Sequence, residues 1–435
     1  MSIPSLGRAF AQGLRRLLHL LPALAVVGLS ACGGSDDAQY AHVRLLNASP
    51  GYDSLDLYLG DDRQAAAIAT GAVSSYADVD PDTYDTSVRR ADSATDLATV
   101  ERGYSEDSSY TLVAYGWEGS LKTYQLTDSE DSPGSGLTRV RVFNTATDAG
   151  TLDVYLTDSD TALTDATPIA SSVAGASLSA YKNVDSGSWR LRVTGEDDAT
   201  DVRLDLSSLA LAGNKVVTVV LTPGSGGVLV NAIVLVQGGS ATAYDNPSAR
   251  VRLVAGSTGN ATHSAVVAGT TLTTGTLSPA VGAYVLVNAG SAQGLDLQVN
   301  GSRLSTTTVS LSAGGDYSLL VHGASTAPQL TVLSDNNRLP STSSQAKFRL
   351  VNGAYNLAGG LTLNLDYDAL ASDIAVGSAS SYKAVTASTG STMTVDLSGS
   401  SLASWTDLTV TAKGIYSVFV LGDASTPTAV LRRDR

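Results

Sequence analysis

Four stretches of this chain, each about a hundred residues long, carry the same short motifs in the same order, and that order constrains the fold more tightly than any single residue does. The first reads HVRLLNASPG (His42 to Gly51), SLDLYLGD (Ser54 to Asp61), SSYADV (Ser74 to Val79) and SSYTLVAYG (Ser108 to Gly116). The second reads RVRVFNTA (Arg139 to Ala146), LDVYL (Leu152 to Leu156), SAYKNV (Ser179 to Val184) and VTVVLTPG (Val217 to Gly224). The third keeps ARVRLVAG (Ala249 to Gly256), GAYVLV (Gly282 to Val287) and YSLLVHG (Tyr317 to Gly323). The fourth keeps AKFRLVNG (Ala346 to Gly353), SYKAV (Ser381 to Val385) and YSVFVLG (Tyr416 to Gly422).

Spacing supports the register. From the arginine of the opening motif to the tyrosine of the Y-x-x-V motif is 32 residues (Arg44 to Tyr76), 40 (Arg141 to Tyr181), 32 (Arg252 to Tyr284) and 33 (Arg349 to Tyr382). The longer interval is explained if Thr157 to Pro168 is a loop insertion, which costs little closure entropy.

Within each copy apolar and polar residues alternate, as in Leu55, Leu57 and Leu59 against Asp56, Tyr58 and Gly60. A period of two with Gly, Pro, Asn and Asp at the breaks predicts short strands with one face buried. Val, Thr and Tyr are plentiful and Lys, Glu and Met scarce, which also favours strands. The expected fold is all-β: four tandem antiparallel β-sandwich modules over 40–130, 137–244, 248–335 and 345–435. Leu121–Leu126, Leu229–Val236, Pro328–Leu333 and Pro427–Leu431 read as the last strand of each. Short polar linkers at 128–136, 237–247 and 334–345 then predict a semi-rigid rod ending in a solvated basic tail.

Ahead of the modules, Arg8, Arg15 and Arg16 precede an apolar run from Leu17 to Leu29, too short to span a bilayer as a helix, and small residues follow. The series Leu29, Ser30, Ala31, Cys32 resembles the lipobox of bacterial lipoproteins. That resemblance implies a signal peptide over 1–31, a lipid on the Cys32 sulfur and a tether over 32–39. In Gram-negative lipoproteins a Gly such as Gly33 after the cysteine implies the outer membrane. Cys32 is the only cysteine, so no disulfide staples a module.

The chain has 27 basic and 41 acidic residues, a net charge of −14; without the three arginines of residues 1–31 it is −17. Such a surface repels nucleic acid and anionic lipid.

The V-R-L-L-N-A-S-P-G, L-D-L-Y-L-G, S-x-Y-x-x-V and Y-T-L-V-x-x-G series of copy one (Val43 to Gly116) resembles a bacterial extracellular module known as domain of unknown function 4397. Copy two resembles it well. Copy four departs at LTLNLDYD (Leu361 to Asp368), and copy three departs further at HSAVVAG (His263 to Gly269). The resemblance implies tandem immunoglobulin-like sandwiches on secreted or surface-attached proteins, with no activity and no catalytic residue to carry over.

Chemistry-bearing residues are weighed against this repeated background. His42, His263 and His322 stand apart in sequence, and no G-x-S-x-G or H-E-x-x-H string occurs, so no catalytic site is expected. Asp53, Asp56, Asp61 and Asp62, then Asp78, Asp80, Asp82 and Asp85, then Asp158 and Asp160 suit solvated turns better than calcium; no cofactor or metal is expected. Tyr76, Tyr181, Tyr284 and Tyr382 recur in every copy and read as structural tyrosines at a sheet corner. Trp117 has no counterpart in the other copies and, with Tyr115 and Tyr124, is the candidate ligand-binding surface. Arg44, Arg141, Arg252 and Arg349 alternate with core residues, so they are expected to face solvent or bridge modules, with Asp56 or Asp153 as cross-strand partners.

Three functions remain open on the sequence. The first is a non-catalytic cell-envelope lipoprotein in a structural or adhesion role, held by outer-membrane lipid through Cys32 and meeting an envelope protein or polysaccharide but no nucleic acid. The second is a polysaccharide-binding surface protein, and the third a glycoside hydrolase with paired carboxylates.

Overall fold

The computed structural model describes residues 39–435; residues 1–38, and with them the signal, Cys32 and nearly all of the tether, lie outside the described residues. Eight sheets make four two-layer modules, and the described residues include no α-helix, only two turns of 3₁₀ helix at Thr147–Ala149 and Leu163–Asp165.

Each module opens with a strand that is central in its first sheet: Ala41–Asn47, Leu137–Asn144, Ser248–Ala255 and Gln345–Tyr355. This strand pairs on one side with the short segment after the repeated tyrosine, antiparallel, as in Ala41 opposite Val79. On the other side it pairs parallel with the closing strand of the same module, at Ser109–Tyr115, Lys215–Pro223, Asp316–His322 and Ile415–Asp423. The first sheets are therefore mixed, not wholly antiparallel as the motifs implied. A parallel pair needs a long crossover, and the whole second sheet of the module supplies it. The last strand of each module adds antiparallel to the closing strand, where the sequence placed it.

The second sheet is built on the strands Ser54–Leu59, Leu152–Thr157, Thr262–Val267 and Leu361–Leu365, each flanked by two antiparallel neighbours. HSAVVAG of copy three thus fills the place of LDLYLGD despite its different residues. The insertion in copy two is the hairpin loop between Thr157 and Ala170.

Several repeated polar residues answer to backbone that the pleat leaves unpaired. Ser74, Ser179 and Ser380, two residues before the repeated tyrosine, accept from the amides of Leu45, Val142 and Leu350 at 2.9–3.0 Å. Asn47 and Asn144 end their opening strands and donate to two carbonyls of the crossing chain, while Asn352 donates to one. A buried amide that is not bonded costs about 1–3 kcal/mol, which accounts for polar residues in apolar strands.

The modules do not form a string. Each first sheet is apolar on both faces, one toward its own core and the other toward a neighbouring module. Leu46, Val113, Tyr115 and Leu126 of module one pack on Phe143, Val220, Ile233 and Leu235 of module two. Val254 and Leu320 of module three pack on Val351, Phe419 and Leu421 of module four. Gly353 lies in this second seam, where a Cβ would meet the ends of Leu320 and Leu421 at 2.9 Å and push them aside. Two face-to-face pairs replace the expected rod. The linkers take part as well: Ala241–Tyr244 adds a strand to module two.

Candidate functional site

The groups with the most chemical potential gather at the two seams. In every module the arginine of the opening strand lies over the ring of the repeated tyrosine, with 4.6 Å from Arg44 to Tyr76, 4.6 Å from Arg141 to Tyr181, 4.4 Å from Arg252 to Tyr284 and 4.9 Å from Arg349 to Tyr382. In every module the arginine Nε donates to a hydroxyl of the adjacent closing strand, on Thr111, Thr218, Ser318 and Ser417, at 2.7–3.0 Å. The parallel register makes this possible, because it sets Arg44 directly opposite Thr111 and Arg252 opposite Ser318.

In three modules an aspartate just past the last strand completes the set. Asp128 accepts from Thr111 and Tyr76, both at 2.5 Å, and lies 3.5 Å from Arg44. Asp335 accepts from Ser318 at 2.6 Å, from Tyr284 at 2.5 Å and from Arg349 at 2.6 Å. Asp434 accepts from Ser417 at 2.6 Å and from Arg252. The acids of modules three and four are exchanged: Arg252 is held by the acid of module four and Arg349 by that of module three. In module two the corresponding residue is Gln237, whose side chain instead bonds the backbone of Glu130.

Burial tunes these groups. Arg44, Arg252 and Arg349 are at most 2% exposed. The Tyr76 hydroxyl is pushed up to about 12 by burial and by its bond to Asp128. Burial works to raise the Asp335 carboxyl, but Arg349 and Arg252 together carry it below the usual range. Tyr382 is pushed up by burial, and its hydroxyl finds no partner.

Of the two places expected of these arginines, Arg44, Arg252 and Arg349 take the bridge between modules and not solvent, while the expected partners Asp56 and Asp153 hold none of the four. Those two acids have another task. Asp56 accepts from the amide of Ala67 at 2.6 Å and Asp153 from Ser172 at 2.7 Å, where the neighbouring strand bulges at φ 52° and 51°. Non-glycine residues in that region are strained, and the carboxylate offsets the cost. Asp434 corrects a second expectation, since it and Arg435 are built into the fold and not into a solvated tail: Arg435 donates to Gly227. The corner bond of the sandwich belongs to other tyrosines than the four expected. The hydroxyls of Tyr110, Tyr317 and Tyr416 accept from amides five residues upstream.

Of the candidate ligand surface, Tyr115 is 5% exposed, with its ring 5.8 Å from that of Phe143 in the first seam. Trp117 is half-buried: Arg338 covers its ring at 3.3 Å from the centroid, and its indole nitrogen donates to Asp148. It ties module one to module two and to the linker after module three. Tyr124 keeps 37% of its surface in water. His263 is fully buried between Ser257 and the Ala261 carbonyl, His322 is buried beside Thr331, and His42 pairs with Asp78. No three His, Cys, Asp or Glu side chains converge on a metal position among the described residues.

Compared with known proteins, the chain matches the profile of a family described as Domain of unknown function (DUF4397) over residues 41–155 and 249–361. Each match begins at the opening strand of an odd-numbered module and runs into the next, so it follows the pairing. No curated protein matches the chain. Nine chains of solved structures match. One is the Bacillus anthracis TIE protein, 6% identical, with 64% of this chain and 49% of that one covered and a TM-score of 0.15. The chain spans about half the length of that protein, and the superposition is too loose to bear on fold or function.

Proposed function

The chain belongs to the DUF4397 family, whose function is unknown, and on that premise we propose that it is a non-catalytic lipoprotein of the bacterial cell envelope, working as a structural or interaction protein. The observation that carries this reading is where its reactive side chains are used. Of the four recurring arginines, Arg44, Arg252 and Arg349 are held by partners across a seam, and each also has a carboxylate in reach. A hydrolase needs carboxylates free to reach substrate, whereas Asp56, Asp128, Asp153, Asp335 and Asp434 all hold protein donors. The position of Cys32 beyond a short apolar run, followed by Gly33, Gly34 and Ser35, supports lipid attachment and anchorage in the outer membrane.

The test is expression of the full chain in a Gram-negative host fed an alkyne-bearing fatty acid. Label on the protein, recovery in outer-membrane fractions and loss of both in Cys32→Ser are the expected results. Release of an unlabelled protein overturns the anchor, and turnover of any polysaccharide or ester by the purified chain overturns the non-catalytic assignment. The polysaccharide-binding reading is favoured by one observation, a seam groove in which Tyr124 meets Arg141.

A further inference from the structure

Arg141 breaks the fourfold pattern. Its Nε is bonded to Thr218 and its guanidinium lies over Tyr181, as in the other modules, but no acidic group lies within ion-pair distance among the described residues. It is also partly exposed where the other three are buried. The cause is an offset in the first seam. Arg44 turns to the carbonyls of Val236 and Gly239, Asp128 stays with Arg44, Tyr76 and Thr111, and Gln237 stands where the other modules have Asp.

The same seat is shown filled elsewhere in the chain. Arg252 takes both oxygens of Asp434, at 2.5 and 3.2 Å, and Arg349 takes Asp335 at 2.6 Å. In each case an arginine on a tyrosine ring holds a carboxylate delivered from the facing module. At Arg141 that place opens onto a groove of about 320 Å³, lined by Tyr124, Gln125, Thr127, Ser129, Glu130 and Tyr181 among others. Glu130, which also lines the groove, pairs with Arg139, which leaves Arg141 the cation of this lining with no acidic partner among the described residues. The remaining lining offers amide and hydroxyl groups, Leu126 and Leu178, and the exposed part of the Tyr124 ring, a set that recognises a sugar by hydrogen bonds and apolar contact. A net charge of −14 weighs against dense polyanions and admits a ligand with sparse carboxylates.

We propose that Arg141 anchors a binding site for a carboxylate-bearing sugar, a hexuronate unit of an acidic polysaccharide, in the seam between modules one and two. The site deepens the interaction reading above and does not depend on anchorage at Cys32.

The test is calorimetric titration of the intact chain with a sugar trimer of one galacturonate and two neutral units, its methyl ester, acetate and a glutamate tripeptide. Saturable binding of the trimer, at least tenfold weaker for the methyl ester and in Arg141→Gln, is the expected result. Arg141→Lys keeps the charge but loses the two-pronged geometry, and weakens binding several-fold. Ser129 is exposed, so Ser129→Asp places a competing carboxylate beside the seat with the core untouched, and it too weakens binding. Trimer binding that is absent, or unchanged in both Arg141→Gln and Ser129→Asp, overturns the site. Equal binding of acetate or the glutamate peptide overturns the sugar assignment. Neither outcome touches fatty-acid labelling at Cys32, so the two readings fail separately.

Discussion

Arg252 and Asp434 lie 182 residues apart in the chain and meet through two guanidinium nitrogens and both carboxylate oxygens. Both side chains are nearly free of water, at 2% and 0% exposure. Removing one partner of such a pair leaves an uncompensated buried charge, which costs about 3–5 kcal/mol. Asp434→Ala is expected to lose that amount in urea unfolding. The double change Arg252→Met with Asp434→Leu is expected to cost less than the two single changes together, by about 1 kcal/mol or more.

Asp335 makes the second seam acid-sensitive. Its carboxyl is held below the ordinary value in the folded chain, so near pH 4 and below the unfolded chain binds more protons than the native one. The stabilisation is complete above the unfolded value and is lost as pH falls through the folded one. Asp335→Asn is expected to be less stable at pH 7 and to show a flatter acid limb, read by thermal unfolding from pH 7 to pH 3.

Lys347 is shifted in the same direction, but for a cation a lowered value costs stability at neutral pH. It is 8% exposed, it donates to Asn336, and burial lowers its ammonium to about 8. Between pH 8 and the ordinary lysine range the unfolded chain keeps a proton that the native chain has released, so stability rises with pH across that window. Lys347→Met is expected to stabilise the protein at pH 7 by about 1–3 kcal/mol and to abolish that rise, as measured by the variant-minus-parent difference in unfolding free energy.

The bulge acids separate a turn function from calcium binding. Asp56→Ala and Asp153→Ala each remove a buried carboxylate that accepts from a bulge amide and are expected to cost about 1.5–3 kcal/mol. Millimolar calcium is expected to leave the melting temperature of the parent unchanged. An upward shift that vanishes in Asp56→Ala would assign these acids to a metal.

Trp117→Ala is expected to cost about 2 kcal/mol and to expose the chain near Arg338 to trypsin, because the indole ties three parts of the molecule together. Loss of glycan binding with unchanged protease resistance would return the ring to its role as a ligand platform.

The strands, the last-strand positions and the loop insertion at 157–168 were legible because period-two alternation and turn residues are local signals. The repeated Arg and Tyr were also legible as a pattern, which left solvent and a neighbouring module both open as the place of the arginines. Alternation says that Arg44 points away from its own core and is silent on whether water or another module lies there. The clue was present in Leu46, Val113 and Leu126, apolar residues on the same outward face as Arg44 and Thr111. A sheet apolar on both sides must be covered twice. The acids at 128, 335 and 434 were read as linker and tail because short Asp-rich ends suit solvent as well as they suit a buried guanidinium. Distance in sequence hid the rest: nothing local in Arg252 points to Asp434.

The doubly apolar sheet also sets how such a chain can be shortened or lengthened. A fragment ending after module one would leave Leu46, Val113 and Leu126 bare, while one ending after module two closes its own seam. Truncations that end on an even number of modules are therefore expected to keep their seams closed. An odd copy is expected to bury its outer face against a second molecule or to leave it bare, which size-exclusion chromatography of the fragment would read.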